Sequence, residues 1–253
     1  LQWKRRLQDR GVSPLGPTAQ EHEAVLEFRD PDGVLLEIAA PLPAGAESET
    51  AEAHSTLQER TWPQPVDAIT TDMTLTGGVQ RLTAVSANLE RTHAFYNGLL
   101  GLHRVHAAAY PADPAVTQWV WAADDDDAAF QLAYLQYPAG GQPRARIGIG
   151  QTHHFALAIA DENAQQAWRE KILQAGITVT PIIERVYFKS IYLRDPDGHI
   201  IELATAGPGF AVDEAPERLG EGLQLPPWLE SARGELEQVL RPLSAPPWKK
   251  PAE

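Results

Sequence analysis

From His154 to Ala160 the residues alternate, with Phe155, Leu157 and Ile159 on one side and His154, Ala156, Ala158 and Ala160 on the other, the period of a half-buried β-strand. The spacing then turns helical. Asp161 offers a cap, Trp168, Ile172 and Leu173 recur on one face, and Gly176 supplies a stop. Extended segments follow at Val179 to Ile183, Val186 to Leu193 and Ile200 to Ala204. Between the last two lies Asp195-Pro196-Asp197-Gly198. Proline presets φ at the second turn position and glycine accepts positive φ, so this tetrapeptide closes an antiparallel hairpin. The unit reads β-α-β-β-β.

The unit is repeated. Residues 1–40 lie over 166–205 without a gap, Trp3 over Trp168, Gly11 over Gly176 and Glu37 over Glu202. Nine of the forty positions are identical, and five of them form one unbroken stretch, Arg29 to Gly33 over Arg194 to Gly198, which chance does not supply. A third, more diverged copy begins near Val79: Leu82 to Ala87 leads into an Asn88-capped helix with Leu89, Phe95, Tyr96 and Leu99, ended by Gly98 and Gly101. Strands at Trp119 to Ala122 and Phe130 to Gln136 follow. Extending the first copy at the same offset places its start some fourteen positions before Leu1, so its opening strand is missing and an N-terminal truncation is expected.

The expected fold is therefore α+β, built of βαβββ modules whose curved mixed sheets surround a central cleft. Residues 1–40 form a partial module and residues 41–76, rich in Ala, Pro, Glu and Thr, a partly ordered linker. Residues 77–149 and 150–206 form two further modules. In the tail, 207–253, Trp228, Leu229, Ala232, Leu236, Val239 and Leu240 predict one amphipathic helix folded back on the body.

Composition narrows the chemistry. A net charge of −13 repels phosphate backbones and anionic lipid, so nucleic acid and membrane surfaces are not expected as partners. No run of ~18 apolar residues suggests a spanning helix. With no cysteine there is no disulfide, thiol nucleophile or Cys-zinc site, and the eight histidines and the carboxylates carry any metal or acid-base work. A cytoplasmic location and a homo-oligomer are expected.

Strand parity then brings residues together. If Phe155, Leu157 and Ile159 pack on the helix, His154 faces the opposite, concave side, with small alanines beside it, while His153 points the other way. If Ile191, Leu193, Ile201 and Leu203 pack outward, Ser190, Tyr192, Arg194, Ile200 and Glu202 face inward. His154, Tyr192 and Glu202 thus share one hollow. A carboxylate there costs ~2–7 kcal/mol unless it is paired, protonated or bound to a metal. A neutral imidazole is a natural co-ligand. The alternative is a hydrogen-bonded core histidine and a glutamate paired with Arg194 or Arg185. For Glu37, whose module lacks the histidine-bearing strand, the ion pair is the expected state.

These residues carry a resemblance. His154-Phe-Ala-Leu-Ala-Ile-Ala-Asp161, Tyr192, and Asp195-Pro196-Asp197-Gly198 ahead of Glu202 resemble the vicinal oxygen chelate superfamily of glyoxalases, bleomycin-resistance proteins and extradiol dioxygenases. Arg185-Val-Tyr187-Phe188-Lys189-Ser190-Ile-Tyr192, Gly207-Pro208-Gly209-Phe210 and the tail resemble its branch of ring-cleaving dioxygenases acting on hydroquinones and related diphenols. The resemblance implies iron(II), or manganese(II), on a two-His, one-carboxylate set. His154 and Glu202 match two of these ligands. The third, a histidine, would lie upstream of Leu1; in another branch it opens the third module, where this sequence has Arg81, which cannot ligate a cation. The resemblance also implies Tyr192 as a hydrogen-bonding catalytic residue, His153 as an outer-sphere or acid-base residue, and a small aromatic substrate with dioxygen as partners. Tyr187 and Phe188 are candidate aromatic walls, and Trp119 is read as core. A glyoxalase-like isomerase or thiol transferase and a metal-free module that binds aromatic ligands remain open as alternatives.

Other polar features receive structural readings. Asp124 to Asp127 lacks the alternate spacing of a calcium loop and reads as a solvated hairpin tip. His93, His103 and His106 read as structural or surface residues, and His199 as exposed. Gly140-Gly141 and Gly148 to Gly150 lack the strand-helix setting of a phosphate loop.

Overall fold

The computed structural model describes residues 1–20, 23–42, 60–76, 78–111, 113–123, 130–139 and 148–240. The Asp124–Asp127 and Gly140-Gly141 readings, much of the 41–76 segment and the end of the tail lie outside them. The fold is mixed α and β, dominated by three sheets.

The first sheet holds β1 (Leu15–Gln20), β2 (Glu23–Arg29) and β3 (Leu35–Pro41), behind α1 (Gln2–Asp9). The second has the order β4-β7-β6-β5, from β4 (Arg81–Val85), β5 (His103–Tyr110), β6 (Asp113–Ala122) and β7 (Gln131–Gln136). Its helix α2 (Leu89–His93) is capped by the Asn88 side chain and continues into a wider π turn, Ala94–Leu99. The third has the order β8-β11-β10-β9, from β8 (His154–Ile159), β9 (Ile183–Glu184), β10 (Lys189–Arg194) and β11 (Ile200–Thr205). Helix α3 (Glu162–Gln174) lies between β8 and β9 in the chain, with the Asp161 side chain accepting from the Ala164 amide as its cap.

The repeat is visible in backbone detail. Gly11 and Gly176 end their helices at φ 77° and 76°, and Gly33 and Gly198 close their turns at 93° and 95°. In both turns the first aspartate binds amides two and four residues on, Asp30 at 2.9 and 2.8 Å and Asp195 at 2.9 and 2.9 Å. In both, the preceding arginine donates to the turn glycine's carbonyl oxygen, at 2.7 Å from Arg29 and 2.6 Å from Arg194. β8 runs parallel to β11 and β4 parallel to β7. In the first sheet β3 has no such parallel neighbour among the described residues.

Three expectations need correction. The strand expected over Val186 to Leu193 begins only at Lys189, because Val186 sits at φ 70° in a turn where the Arg185 amide donates to the Phe188 carbonyl. A branched residue there is strained and interrupts pairing. The expected tail helix is a 3-10 turn, Pro227–Ala232, followed by a short helix α4 (Arg233–Val239). Its apolar positions are not folded into the body, since Trp228 is 64% and Val239 72% exposed. His199, expected to be exposed, is largely covered and bonded to Asp195 at 3.0 Å. Residues 60–76 lie along α1: the Trp3 indole donates to Met73 O, Arg6 to Val66 O and Asp67 O, and Asp9 accepts from the Val66 amide.

One core joins the second and third sheets. Tyr96, Trp121, Leu132 and Tyr134 cluster with Phe155, Ile172, Ile191, Leu193, Ile201 and Leu203. The turn between β10 and β11 is inserted at this junction. Asp195 Oδ2 accepts from Tyr134 at 2.6 Å, Tyr96 at 3.2 Å and the His199 ring at 3.0 Å. Asp197 accepts from the Ala87 amide, Arg91 and Thr92 at 2.9, 3.1 and 3.0 Å. At the opposite end of the hairpin the buried Gln165 of α3 donates to Lys189 O and Leu203 O, tying both strands to the helix.

This junction carries a pH dependence. The Asp195 bond raises the His199 pKa above its ordinary 6.5 against the pull of burial. Burial pushes Asp195 upward, but bonds from His199 and Tyr134 together hold it below 3.8. A raised histidine contributes stability that is complete below its unfolded pKa and is lost as pH rises through the folded value. A depressed carboxyl contributes stability that is lost as pH falls through its own. The pair therefore supports the fold most between about pH 4 and 6.5, the window set by the two ordinary values. Thermal unfolding followed by circular dichroism should show a lower melting temperature at pH 8.5 than at pH 6, with a smaller drop in His199→Gln. Equal drops in both proteins would remove His199 as the cause.

Candidate active site

The alternation of β10 and β11 decides what faces inward. Ile191, Leu193, Ile201 and Leu203 are at most 3% exposed in the core behind the sheet, so their neighbours project from the other face. The register sets Tyr192 opposite Glu202 and Ser190 opposite Ala204 on the antiparallel side. On the parallel side it sets His154 beside Ile200 and Ala156 beside Glu202.

His154, Tyr192, Ser190 and Glu202 converge there. Glu202 is 5% exposed. Its Oε1 accepts from the Tyr192 hydroxyl at 2.7 Å and from the Ser190 hydroxyl, and its Oε2 lies 2.9 Å from His154 Nε2. The His154 and Tyr192 rings meet edge to face at 5.7 Å. The arginines are elsewhere: Arg194 is bound to Gly198 O, and Arg185 donates to the Tyr192 hydroxyl at 3.2 Å with its guanidinium 5.4 Å from that ring. His153 does not turn wholly away, for its Nδ1 lies 2.8 Å from His154 Nδ1.

The donor set suits a metal ion in part. Two ligands ~2.1 Å from one ion at right angles are ~3 Å apart, and His154 Nε2 and Glu202 Oε2 are 2.9 Å apart. An imidazole nitrogen and a carboxylate oxygen are also the right chemistry for a divalent first-row metal. Among the described residues, no third His, Asp or Glu joins them.

The corresponding surface of the first and second sheets has different chemistry. Arg81, which opens β4 as His154 opens β8, approaches Glu23 at 3.7 Å, and Gln80 donates to the same carboxylate at 2.7 Å. Among the described residues, Glu37 makes no direct ion pair. Its pKa is raised by burial and by Glu27, with Arg81 pulling the other way. His93 accepts from the Trp121 indole at 3.0 Å, a structural role, and His103 is exposed. Trp119 packs at the edge of the core under Arg104.

Ser190 stands beside Tyr192 as strand parity places it, and one further contact lies beyond what the pattern shows. Phe210 packs on Tyr187 and Phe188, with centroids 5.1 and 6.3 Å apart, because the Gly209 amide donates to Tyr187 O at 2.7 Å and the Tyr187 hydroxyl to Asp213 at 2.9 Å. Only the register of that arm on the turn reveals the contact.

Comparison with known proteins adds independent findings. Residues 78–203 match the glyoxalase/bleomycin resistance protein/dioxygenase superfamily. A Bacillus subtilis protein provisionally named ring-cleaving dioxygenase MhqA is 30% identical over 242 residues, covering 95% of this chain and 71% of the relative. A second from the same organism, provisionally named ring-cleaving dioxygenase MhqO, is 31% identical over 240 residues, 95% and 68%. A chlorohydroquinone/hydroquinone 1,2-dioxygenase of Sphingobium indicum is 39% identical over 95 residues, which is 37% of this chain and 29% of that protein. A crystal structure of a provisionally assigned B. subtilis dioxygenase superposes with a TM-score of 0.69 at 29% identity, covering 95% and 68% of the two chains.

Proposed function

Since the chain belongs to the glyoxalase/bleomycin resistance protein/dioxygenase superfamily, among relatives named as ring-cleaving dioxygenases, we propose that it serves extradiol-type cleavage of hydroquinone-like diphenols with iron(II), manganese(II) being the alternative. The observation that carries this reading is the buried Glu202, bonded by Tyr192 and Ser190 and set 2.9 Å from His154 Nε2. His154 and Glu202 would hold the metal. When bound, it supplies the redox chemistry that lets dioxygen attack an electron-rich ring.

The chain's own residues orient and hold protons. Tyr192 and Ser190 fix the Glu202 carboxylate through Oε1 and leave Oε2 for the metal side. Arg185 braces the Tyr192 hydroxyl, so that hydroxyl is placed before a phenol arrives. His153 sets the tautomer of its neighbour. With His154 Nε2 donating to Glu202, a neutral His154 accepts at Nδ1 and His153 donates. With an ion on Nε2, a neutral His154 would carry its proton on Nδ1 and donate it to His153 Nδ1, and His153 would then hold its own proton on Nε2, so that His153 orients the His154 ring from outside the ligand pair.

Calorimetric titration with manganese(II), and with iron(II) under anaerobic conditions, followed by oxygen uptake with hydroquinone tests the reading. One equivalent bound through His154 and Glu202 is expected. Absence of metal binding would overturn the metal assignment, and metal binding without oxygen uptake would overturn the reaction. One observation favours a second reading, a metal-free aromatic-binding module: only two donors converge among the described residues. That module would keep its affinity for aromatic ligands in Glu202→Ala.

A further inference from the structure

The face that holds His154 and Glu202 continues beyond them, and what it carries next is small and apolar. Ala156 lies beside Glu202, Ala158 beside Ala204, and Ser190 on the far side of Ala204. Residues two apart on a strand share a face, so these three alanines stand with His154, Glu202 and Tyr192. Ala156 and Ala158 are exposed, and none of the three offers a side chain beyond Cβ. They form a flat floor.

An aromatic group lies beyond the Ser190 end of that floor, starting with Phe188, the residue just before β10. Phe188 precedes Ser190 by two residues and Tyr192 by four, which at ~3.3 Å per residue places it ~13 Å from Tyr192 along the strand direction. Phe210 leans edge-on to it at 6.3 Å and against Tyr187 at 5.1 Å. The arm is held there by the Gly209 and Asp213 bonds already described. The slot is therefore polar at one end, where Tyr192 and Glu202 can meet a hydroxyl, lined along its length by the three alanines and by Ser190, whose hydroxyl is turned to Glu202, and faces a ring that arrives from outside the strands. Its length suits one six-membered ring with a short substituent.

We infer that Phe210, carried by the C-terminal arm, closes a single-ring slot floored by Ala156, Ala158 and Ala204 and sets the size of substituent accepted opposite the hydroxyl held at Tyr192 and Glu202. This inference rests on the diphenol reading above but is tested by ring binding alone. The chain and its Ala158→Leu and Phe210→Ala variants are titrated with hydroquinone and with tert-butylhydroquinone by ligand-observed NMR, and separately with manganese(II). Both positions are solvent-facing, Phe210 being 60% exposed, so circular dichroism should show all three proteins folded. Ala158→Leu should weaken both rings tenfold or more by filling the floor. Phe210→Ala removes an edge contact of a kind that changes affinity ~2-fold to 10-fold, so it should weaken hydroquinone and bring tert-butylhydroquinone level with it or ahead. Manganese affinity is the control both variants should pass. Wild-type affinity for both rings in both variants, or a wild-type chain that binds manganese and no ring, overturns the slot. A wild-type chain that binds rings but no manganese overturns the metal reading instead, and the ring titrations still decide the slot.

Discussion

Replacing Asp195 by alanine should lower the melting temperature on the order of 10 °C, from a loss of ~3–5 kcal/mol at ~2–4 °C per kcal/mol for a chain of this size. Asp195 is 5% exposed as a residue, and its fully buried carboxylate accepts five bonds: two tyrosine hydroxyls and the imidazole on Oδ2, and the Asp197 and His199 amides on Oδ1. The two buried phenols bond each other at 2.6 Å, so deleting the carboxylate leaves one phenol and two turn amides short of an acceptor, each costing ~1–3 kcal/mol before water or rearrangement offsets part of the loss. Tyr96 and Tyr134 cannot compensate by ionising, since burial drives both hydroxyl pKa values upward. The repeated turn supplies an internal control. Asp30 occupies the same position, and its carboxylate accepts from the Asp32 and Val34 amides. Asp30→Ala should therefore cost only ~1–2 kcal/mol. Thermal denaturation of the two variants side by side checks the difference, and equal losses would mean that the contact between sheets adds nothing to the turn.

Glu202→Gln should reduce manganese or iron affinity by at least ~100-fold, because changes even to partners outside a ligand set commonly cost 10–100-fold. The amide oxygen still accepts from Tyr192 and Ser190, so the fold should change by no more than ~1 kcal/mol. An isothermal titration with an unchanged dissociation constant would remove Glu202 from the ligand set. The same variant separates an enzyme from a binder: dioxygen consumption should vanish, while a site that only holds aromatic rings would keep them.

Much of this architecture was legible in the sequence, because it is written in local periods. The five-residue turn, the helix stops at Gly11 and Gly176 and the two-residue alternation of β10 and β11 all depend on neighbours close in the chain. Strand parity was enough to bring His154, Tyr192, Ser190 and Glu202 to one face. The rest depended on contacts between modules. His199 follows a turn glycine, a setting that reads as exposed, and it is covered by Tyr134 arriving from the second sheet. β5, the strand after the second helix that carries His103 and His106, has no apolar alternation because it is the outermost strand of its sheet and none of its residues is buried. The tail pattern was helical, but the two prolines before Trp228 and the lack of a covering surface leave only a short helix.

The hairpin that presents Tyr192 and Glu202 is clamped at both extremities, by Gln165 at one and by the paired aspartates at the other. Such a hairpin has no loose end from which to fray. Protection of its amides against deuterium exchange should accordingly rise and fall with that of β7, so that a ring or ion arriving at Glu202 is felt as slowed exchange around Tyr134, in a sheet it never touches.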